Sequence, residues 1–304
     1  MFSISQLSQR LQQNNEKAFY LAFLRVAISV WLLKELLFRW PAFELLYSNN
    51  SFFSVKPGVP YIFYGYMQSI KEHYMLLIWL CMLLLVLNIF GIGRNLVSVL
   101  VFFSFAILKL INARFSNGGD IMALLLTFYL AGANTFSHFT LFKRKPLSWQ
   151  NERLYNMLSN LLAYSIMINL CFVYFMSALG KINDPLWRSG MAIHYFINNE
   201  HYFLFAGNNK TIELPKVVLY ALNYGTIILE LAAPFLVWFR RFRSWVLFLL
   251  LLMHSFIFSF FMLYGMSVIF VLQYGLFYSE AELKVMLQKV KGIFKRGKKS
   301  KDAL

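Results

Sequence analysis

The chain has 304 residues, of which 59% are hydrophobic, 19% aromatic and only 14% charged. A soluble domain carries about 25% charged residues, so a water-soluble globular enzyme is excluded and a polytopic membrane protein is indicated. The formal net charge of +16 would suggest nucleic acid on a soluble protein, but here the surplus sits in short connecting segments and in the tail. That placement fits membrane orientation and anionic lipid, with no nucleic-acid partner.

Met1 to Lys17 is polar, with Gln6, Gln9, Gln12, Gln13, Asn14 and Asn15. The apolar run that follows is long and lacks a small-residue cleavage site, so it reads as a first span, not a secretory signal. Eight apolar runs follow in order, at about 18–38, 74–91, 95–113, 119–134, 155–180, 216–239, 244–262 and 265–279. They predict an all-α fold of about eight transmembrane helices in the lipid bilayer. The fourth and eighth runs are short, and the last two are divided only at Gly265, where a tight helical hairpin is expected.

Charge distribution orients these spans. With both termini cytoplasmic, eighteen Lys and Arg residues fall on inner segments and seven on outer ones, which satisfies the positive-inside rule. The long loops, roughly 39–73 and 181–215, are then both outside, so the outer face is the expected place for a site. The stretch from Glu280 interleaves basic residues with Leu283, Val285, Leu287 and Ile293, which suits either a solvated anchor tail or an amphipathic helix on the inner leaflet. Cys81 and Cys171 both lie in apolar runs and read as packing residues, with neither metal nor disulfide spacing.

Charged groups within apolar spans are costly and mark structure or function. Arg25 and Glu230 fall at similar depth with opposite sign and predict a structural ion pair. Lys34 and Glu35 suit an interfacial anchor. His254 lies mid-span, as a general acid/base or as a group hydrogen-bonded across helices. Lys109 closes the third span, and Asn117-Gly118-Gly119-Asp120 opens the fourth with a tight turn and an acidic helix start. Lys181 ends the long run Val173 to Ile182. It is followed by Asn183-Asp184-Pro185, Trp187 and Gly190, a helix end, a polar turn and an aromatic lid. An amine in such a setting is either a snorkelling anchor or a base. On the second reading Asp120 orients Lys181, His254 assists, and Lys109, Asn117 and Trp187 contact substrate. His194 and His201 are too loosely spaced to bind a metal, and none is expected.

The segment Tyr174-Phe175-Met176-Ser177-Ala178-Leu179-Gly180-Lys181-Ile182, with Trp187 and Gly190, resembles the signature of the horizontally transferred transmembrane domain. This is the membrane part shared with vitamin K-dependent gamma-carboxylases. Leu24-Arg25, Asn117-Gly118-Gly119-Asp120, the stretch Glu230 to Arg243 with Pro234, and His254 fit the same pattern in the same order. The resemblance runs to about residue 280, which implies a membrane domain over 1–280 and a basic cytoplasmic tail over 281–304.

In the carboxylases the lysine matching Lys181 deprotonates vitamin K hydroquinone. Oxygenation of the quinol then yields a stronger base, which removes a proton from a glutamate side chain to which carbon dioxide adds. The resemblance therefore implies a quinol as co-substrate, and a location in a bacterial inner membrane with the site facing outward. Gly180 stands where those enzymes carry a second lysine, the segment before the fourth span differs, and the large peptide-binding domain is not present in these 304 residues. Glutamate carboxylation itself is thus not the expected reaction. Two other classes remain open: a non-catalytic component that matures or exports a peptide or partner protein, and a transporter relaying protons through Glu230 and His254.

Overall fold

The computed structural model describes residues 4–49, 69–111, 117–142, 149–206 and 211–289. Among them every regular element is helical, and one isolated antiparallel bridge joins Phe203 to Phe261. The helices are α1 (Ile4–Gln13), α2 (Ala18–Phe38), α3 (Phe43–Tyr47), α4 (Tyr74–Phe90), α5 (Arg94–Ile111), α6 (Gly118–Gly132) and α7 (Trp149–Asn183). They continue with α8 (Pro185–Arg188), α9 (Ala192–Ile197), α10 (Lys216–Leu236), α11 (Arg240–Phe260) and α12 (Tyr264–Gln273). A 3-10 turn, Tyr274–Phe277, extends α12.

Among the described residues, four helices, α5, α7, α10 and α11, are long and apolar enough to cross a membrane. Three shorter apolar helices accompany them: α4, α6 and α12 with its 3-10 extension. Helix α2 has 21 residues but carries Arg25, Lys34 and Glu35. Apolar side chains on the outer surface of these helices, such as Leu76, Val217 and Trp245, are exposed, as contact with lipid requires. The tail from Glu280 lies only partly within the described residues: 280–289 is helical, and 290–304 falls outside them, as do most of the predicted outer loop 39–73 and the basic residues Lys143, Arg144 and Lys145.

Local chemistry sets the turns. Gly91 ends α4 in the left-handed region (φ 70°), where glycine has no Cβ to clash. Helix α5 then starts three residues later, so α4 and α5 form a tight antiparallel pair. The predicted break at Gly265 is displaced: α11 stops at Phe260, the chain turns through 261–263, and Gly265 lies inside α12. Its role is contact, since a Cβ on Gly119 would sit 2.6 Å from the Met266 backbone nitrogen and 2.9 Å from the Gly265 carbonyl carbon. The missing side chain of Gly119 lets α6 and α12 touch backbone to backbone.

In packing, α4 lies against α2 and α5, α6 against α5 and α12, and α10 against α7 and α11. One apolar core runs through all of these helices. A second, small cluster of Ile197, Phe203 and Phe261 holds the segment after α9 to the α11–α12 turn. At 35 residues, α7 is about 50 Å long at ~1.5 Å per residue, far beyond the ~30 Å of hydrocarbon. Its surplus first turns dock α1: Asn160 donates to the carbonyls of Leu11 and Asn14, both at 2.8 Å, and accepts from the Glu16 amide.

Candidate functional site

Among the described residues, three polar assemblies hold the predicted site residues, and they divide them differently from the sequence expectation. The first surrounds Arg25, which is fully buried. Its guanidinium donates to the carbonyls of Asn88 and Ile89, the last turn of α4, and to those of Thr135, His138 and Phe139 beyond α6. It also lies 4.8 Å from the Phe136 ring centroid. The last carbonyls of a helix have no intrahelical donor and carry its negative partial charge, so one arginine satisfies a helix end and a turn together. Ser29, Asn88 and Ser98 continue the network. The predicted Arg25–Glu230 ion pair is not formed, because the arginine spends its donors on backbone oxygen and Glu230 faces α7.

The second assembly is centred on Lys181. Its ammonium donates to Glu230 at 2.6 Å and to Ser177 at 2.7 Å, and lies 5.1 Å from the Trp187 ring centroid. Lys181 ends one helix, whereas Glu230 lies well inside another, and helix geometry explains how they meet. Side chains lean toward the N-terminus of their own helix. Because α7 and α10 pack side by side with reversed direction, Lys181 leans back over Ser177 while Glu230 leans the opposite way. The pair is sunk beneath α8 and α9, not placed at a mouth: its side chains are 17% and 8% exposed.

The predicted helix break is as expected in kind. Asp184 caps α8 by accepting from Leu186 and Trp187 amides, with Pro185 at the first helical position. Asn223, two turns before Glu230 on α10, donates to the Trp187 carbonyl at 2.7 Å. That bond fixes the tryptophan above the lysine.

Below the pair lies His254, 2% exposed. Its Nε2 is 2.9 Å from the Tyr174 hydroxyl, which in turn is 2.5 Å from that of Tyr274. His254 Nδ1 is buried without a hydrogen-bond partner among the described residues. Lys181 lies within electrostatic reach of His254, and Glu230 of both tyrosines. Tyr174, Ser177 and Lys181 recur at three- and four-residue intervals on one face of α7, so the cluster is one polar stripe. No metal-binding group of His, Cys, Asp or Glu occurs among the described residues. No family model, curated protein or solved structure matches the chain. Its chemistry has to be read from these contacts.

The third assembly gathers Lys109, Asp120 and Asn117, which were expected beside Lys181. Asp120 instead pairs with Lys109 at 2.7 Å, because the start of α6 packs between α5 and α12. Asp120 also completes a reciprocal capping box with Asn117. Lys109 and Asn117 thus line one cavity and Trp187 covers the other assembly, so the proposed substrate contacts belong to two places. Lys34 and Glu35 form a 2.9 Å pair and Arg39 adds a second contact to Glu35 at 3.1 Å.

Tyr174 and Ser177 lie in the segment that carries the family resemblance but were given no role from sequence, and Tyr274 was not noted. Ser177 had a signal, lying four residues before a lysine on a helix. Tyr274 had none, since only tertiary packing brings it to Tyr174.

Proposed function

We propose that the chain is a membrane enzyme related to the horizontally transferred transmembrane type. In it Lys181 and Glu230 act as one acid–base pair on a lipid-soluble hydroxyl compound, of which a quinol is the best fit. The observation that carries this reading is the 2.6 Å contact between Lys181 and Glu230, largely buried beneath Trp187. Moving the shared proton from nitrogen to carboxylate gives an amine and a carboxylic acid. That uncharged state is the one the reading requires before substrate binds. The free amine then accepts the hydroxyl proton of the substrate, and the resulting ammonium stabilises the oxyanion. Ser177 orients the amine. Trp187 lies over the amine and shields it from water.

The surrounding topology is part of the proposal: eight crossings by α2, α4, α5, α6, α7, α10, α11 and α12, both termini cytoplasmic, and the Lys181 assembly nearer the outer face of a bacterial inner membrane. The eighteen-to-seven division of basic residues supports it. So does the position of the three short helices, each of which packs against longer neighbours able to span for it.

The test is oxygen uptake by proteoliposomes supplied with vitamin K hydroquinone, since the deprotonated quinol reacts with oxygen faster than the neutral one. Wild type should exceed protein-free vesicles at least tenfold. Lys181→Ala should fall to the vesicle rate, and Lys181→Arg, which cannot give up its proton, should fall with it. Wild-type rates in both variants would end the catalytic reading.

A further inference from the structure

A groove of about 530 Å³ lies where α5 and α7 both begin. The length of α7 sets its depth in the membrane. Counted back from Lys181 at ~1.5 Å per residue, Leu158 and Leu154 lie about 35 and 40 Å away. Hydrocarbon spans ~30 Å, and the bilayer with its head groups ~40–45 Å. With Lys181 near one face, the groove falls at head-group level on the other. Leu154 and Leu158 are exposed apolar wall, and the exposed face continues along α7 through Leu161, Ile168 and Phe172. Spacings of four, three, seven and four residues keep these side chains on one lipid-facing stripe.

One charge lines the groove, that of Arg94, and no lining residue is acidic. The guanidinium has no ion pair, hydrogen bond or ring contact among the described residues. Other cations at this end of the bundle are held. Arg243 meets Glu282 and the Phe277 carbonyl, and Lys17 donates to the Tyr278 carbonyl. Arg94 is also poorly placed to be left alone. It opens α5, where a helix carries positive partial charge, and no acidic residue stands in that first turn. Its backbone is left-handed (φ 51°), which is uncommon for arginine. Membrane orientation asks only for a basic residue near a helix end, not for one at the positive pole of a helix beside an apolar groove.

A second observation concerns Asn134. It also lines the groove, is 7% exposed, and its side-chain oxygen has no hydrogen-bond partner among the described residues. The ligand that answers these features carries a net negative charge for Arg94, a hydroxyl donor for Asn134 and an apolar tail for the α7 stripe. We propose that the groove binds an anionic phospholipid of the phosphatidylglycerol class. Its phosphodiester meets Arg94, its head-group hydroxyls meet Asn134, and an acyl chain follows Leu154 and Leu158. An ethanolamine or choline head group cancels its own phosphate charge and leaves Arg94 without a counter-charge. The inference rests on the membrane topology proposed above and not on the quinol reading.

The experiment is native mass spectrometry of the full chain in detergent, with equimolar phosphatidylglycerol, phosphatidylethanolamine and phosphatidylcholine of matched acyl chains. The most tightly held lipid should be phosphatidylglycerol, at least tenfold over either of the others. Arg94→Gln should abolish that preference. Leu154→Glu, which sets an acid in the groove at an exposed position, should abolish it too, and serves where Arg94→Gln does not fold. Arg241→Gln, which removes an exposed arginine at the same end of the bundle, should leave it unchanged. Absence of a preference in wild type, its survival in Arg94→Gln or Leu154→Glu, an equal loss in Arg241→Gln, or displacement of the lipid by excess inorganic phosphate would each overturn the assignment.

Discussion

The Arg25 network and the Lys181 assembly are both charged groups inside an apolar bundle, yet they are built on opposite plans. Arg25 meets five backbone carbonyls, two in the last turn of α4 and three in the segment after α6, and none of them titrates. Lys181 meets a carboxylate and a hydroxyl, groups that exchange protons, with an unpartnered imidazole nitrogen in the same stripe. The first plan fixes structure. The second sets two ionisable side chains against each other, which is where the proposed proton transfer would lie. A charge buried in a membrane protein is therefore not by itself a functional site, and the nature of its acceptor decides which kind it is.

The comparison breaks most easily at Arg25. Arg25→Met leaves five carbonyls without their donor, and we expect a loss of about 3–5 kcal/mol, the range for breaking a buried charged contact. It would be read as failure to accumulate in membranes or as a collapse of the thermal transition in detergent. Arg25→Lys should recover little, because a single ammonium cannot reach so spread a set of oxygens.

The Lys181–Glu230 pair should behave differently. Lys181→Met and Glu230→Gln should each destabilise through the partner left behind, whereas the double variant should recover much of the loss. A double-mutant cycle on thermal unfolding should return a coupling of roughly 2 kcal/mol. Additive losses would show that the contact carries no energy of its own.

Smaller effects lie at the start of α6. Gly119→Ala drives a methyl into the α12 backbone and should cost about 1–3 kcal/mol, read as a lower thermal transition in detergent. Asn117→Ala removes one half of the capping box and should cost about 1 kcal/mol.

The smallest effect lies outside the membrane. Burial pushes the Glu282 carboxyl up, but the Ser279 amide and the Arg243 guanidinium outweigh it and hold it below the usual value. A depressed acid stabilises the fold above its unfolded pKa, about 4.3, and loses that contribution as pH falls through its folded value. Melting curves between pH 6 and pH 3 should therefore drop less steeply in Glu282→Gln than in wild type.

Much of the architecture was legible because apolar length is a strong signal: the eight predicted runs coincide with α2, α4, α5, α6, α7, α10, α11 and α12 to within a few residues, except that α7 begins earlier. The break at Asn183-Asp184-Pro185 and the cap at Asn117–Asp120 were legible because capping is local chemistry. Pairing was not. Depth along a span placed Arg25 opposite Glu230, but depth says nothing about which face a residue presents, and α10 turns Glu230 toward α7. Nor could sequence show that side chains of antiparallel helices lean toward each other, which lets a residue at one helix end meet one well inside another. Asp120 was assigned to Lys181 for the same reason, and packing gave it to Lys109.

The central claim is that Lys181, and not merely any lysine inside the bundle, moves the substrate proton. It is tested most directly by comparing Lys181→Met with Lys109→Met, at matched amounts of folded protein, in vitamin K hydroquinone-driven oxygen uptake by proteoliposomes. The account predicts that Lys181→Met falls to the rate of protein-free vesicles while Lys109→Met stays within about twofold of wild type, a difference under ~0.4 kcal/mol in barrier. Wild-type uptake in Lys181→Met would contradict it.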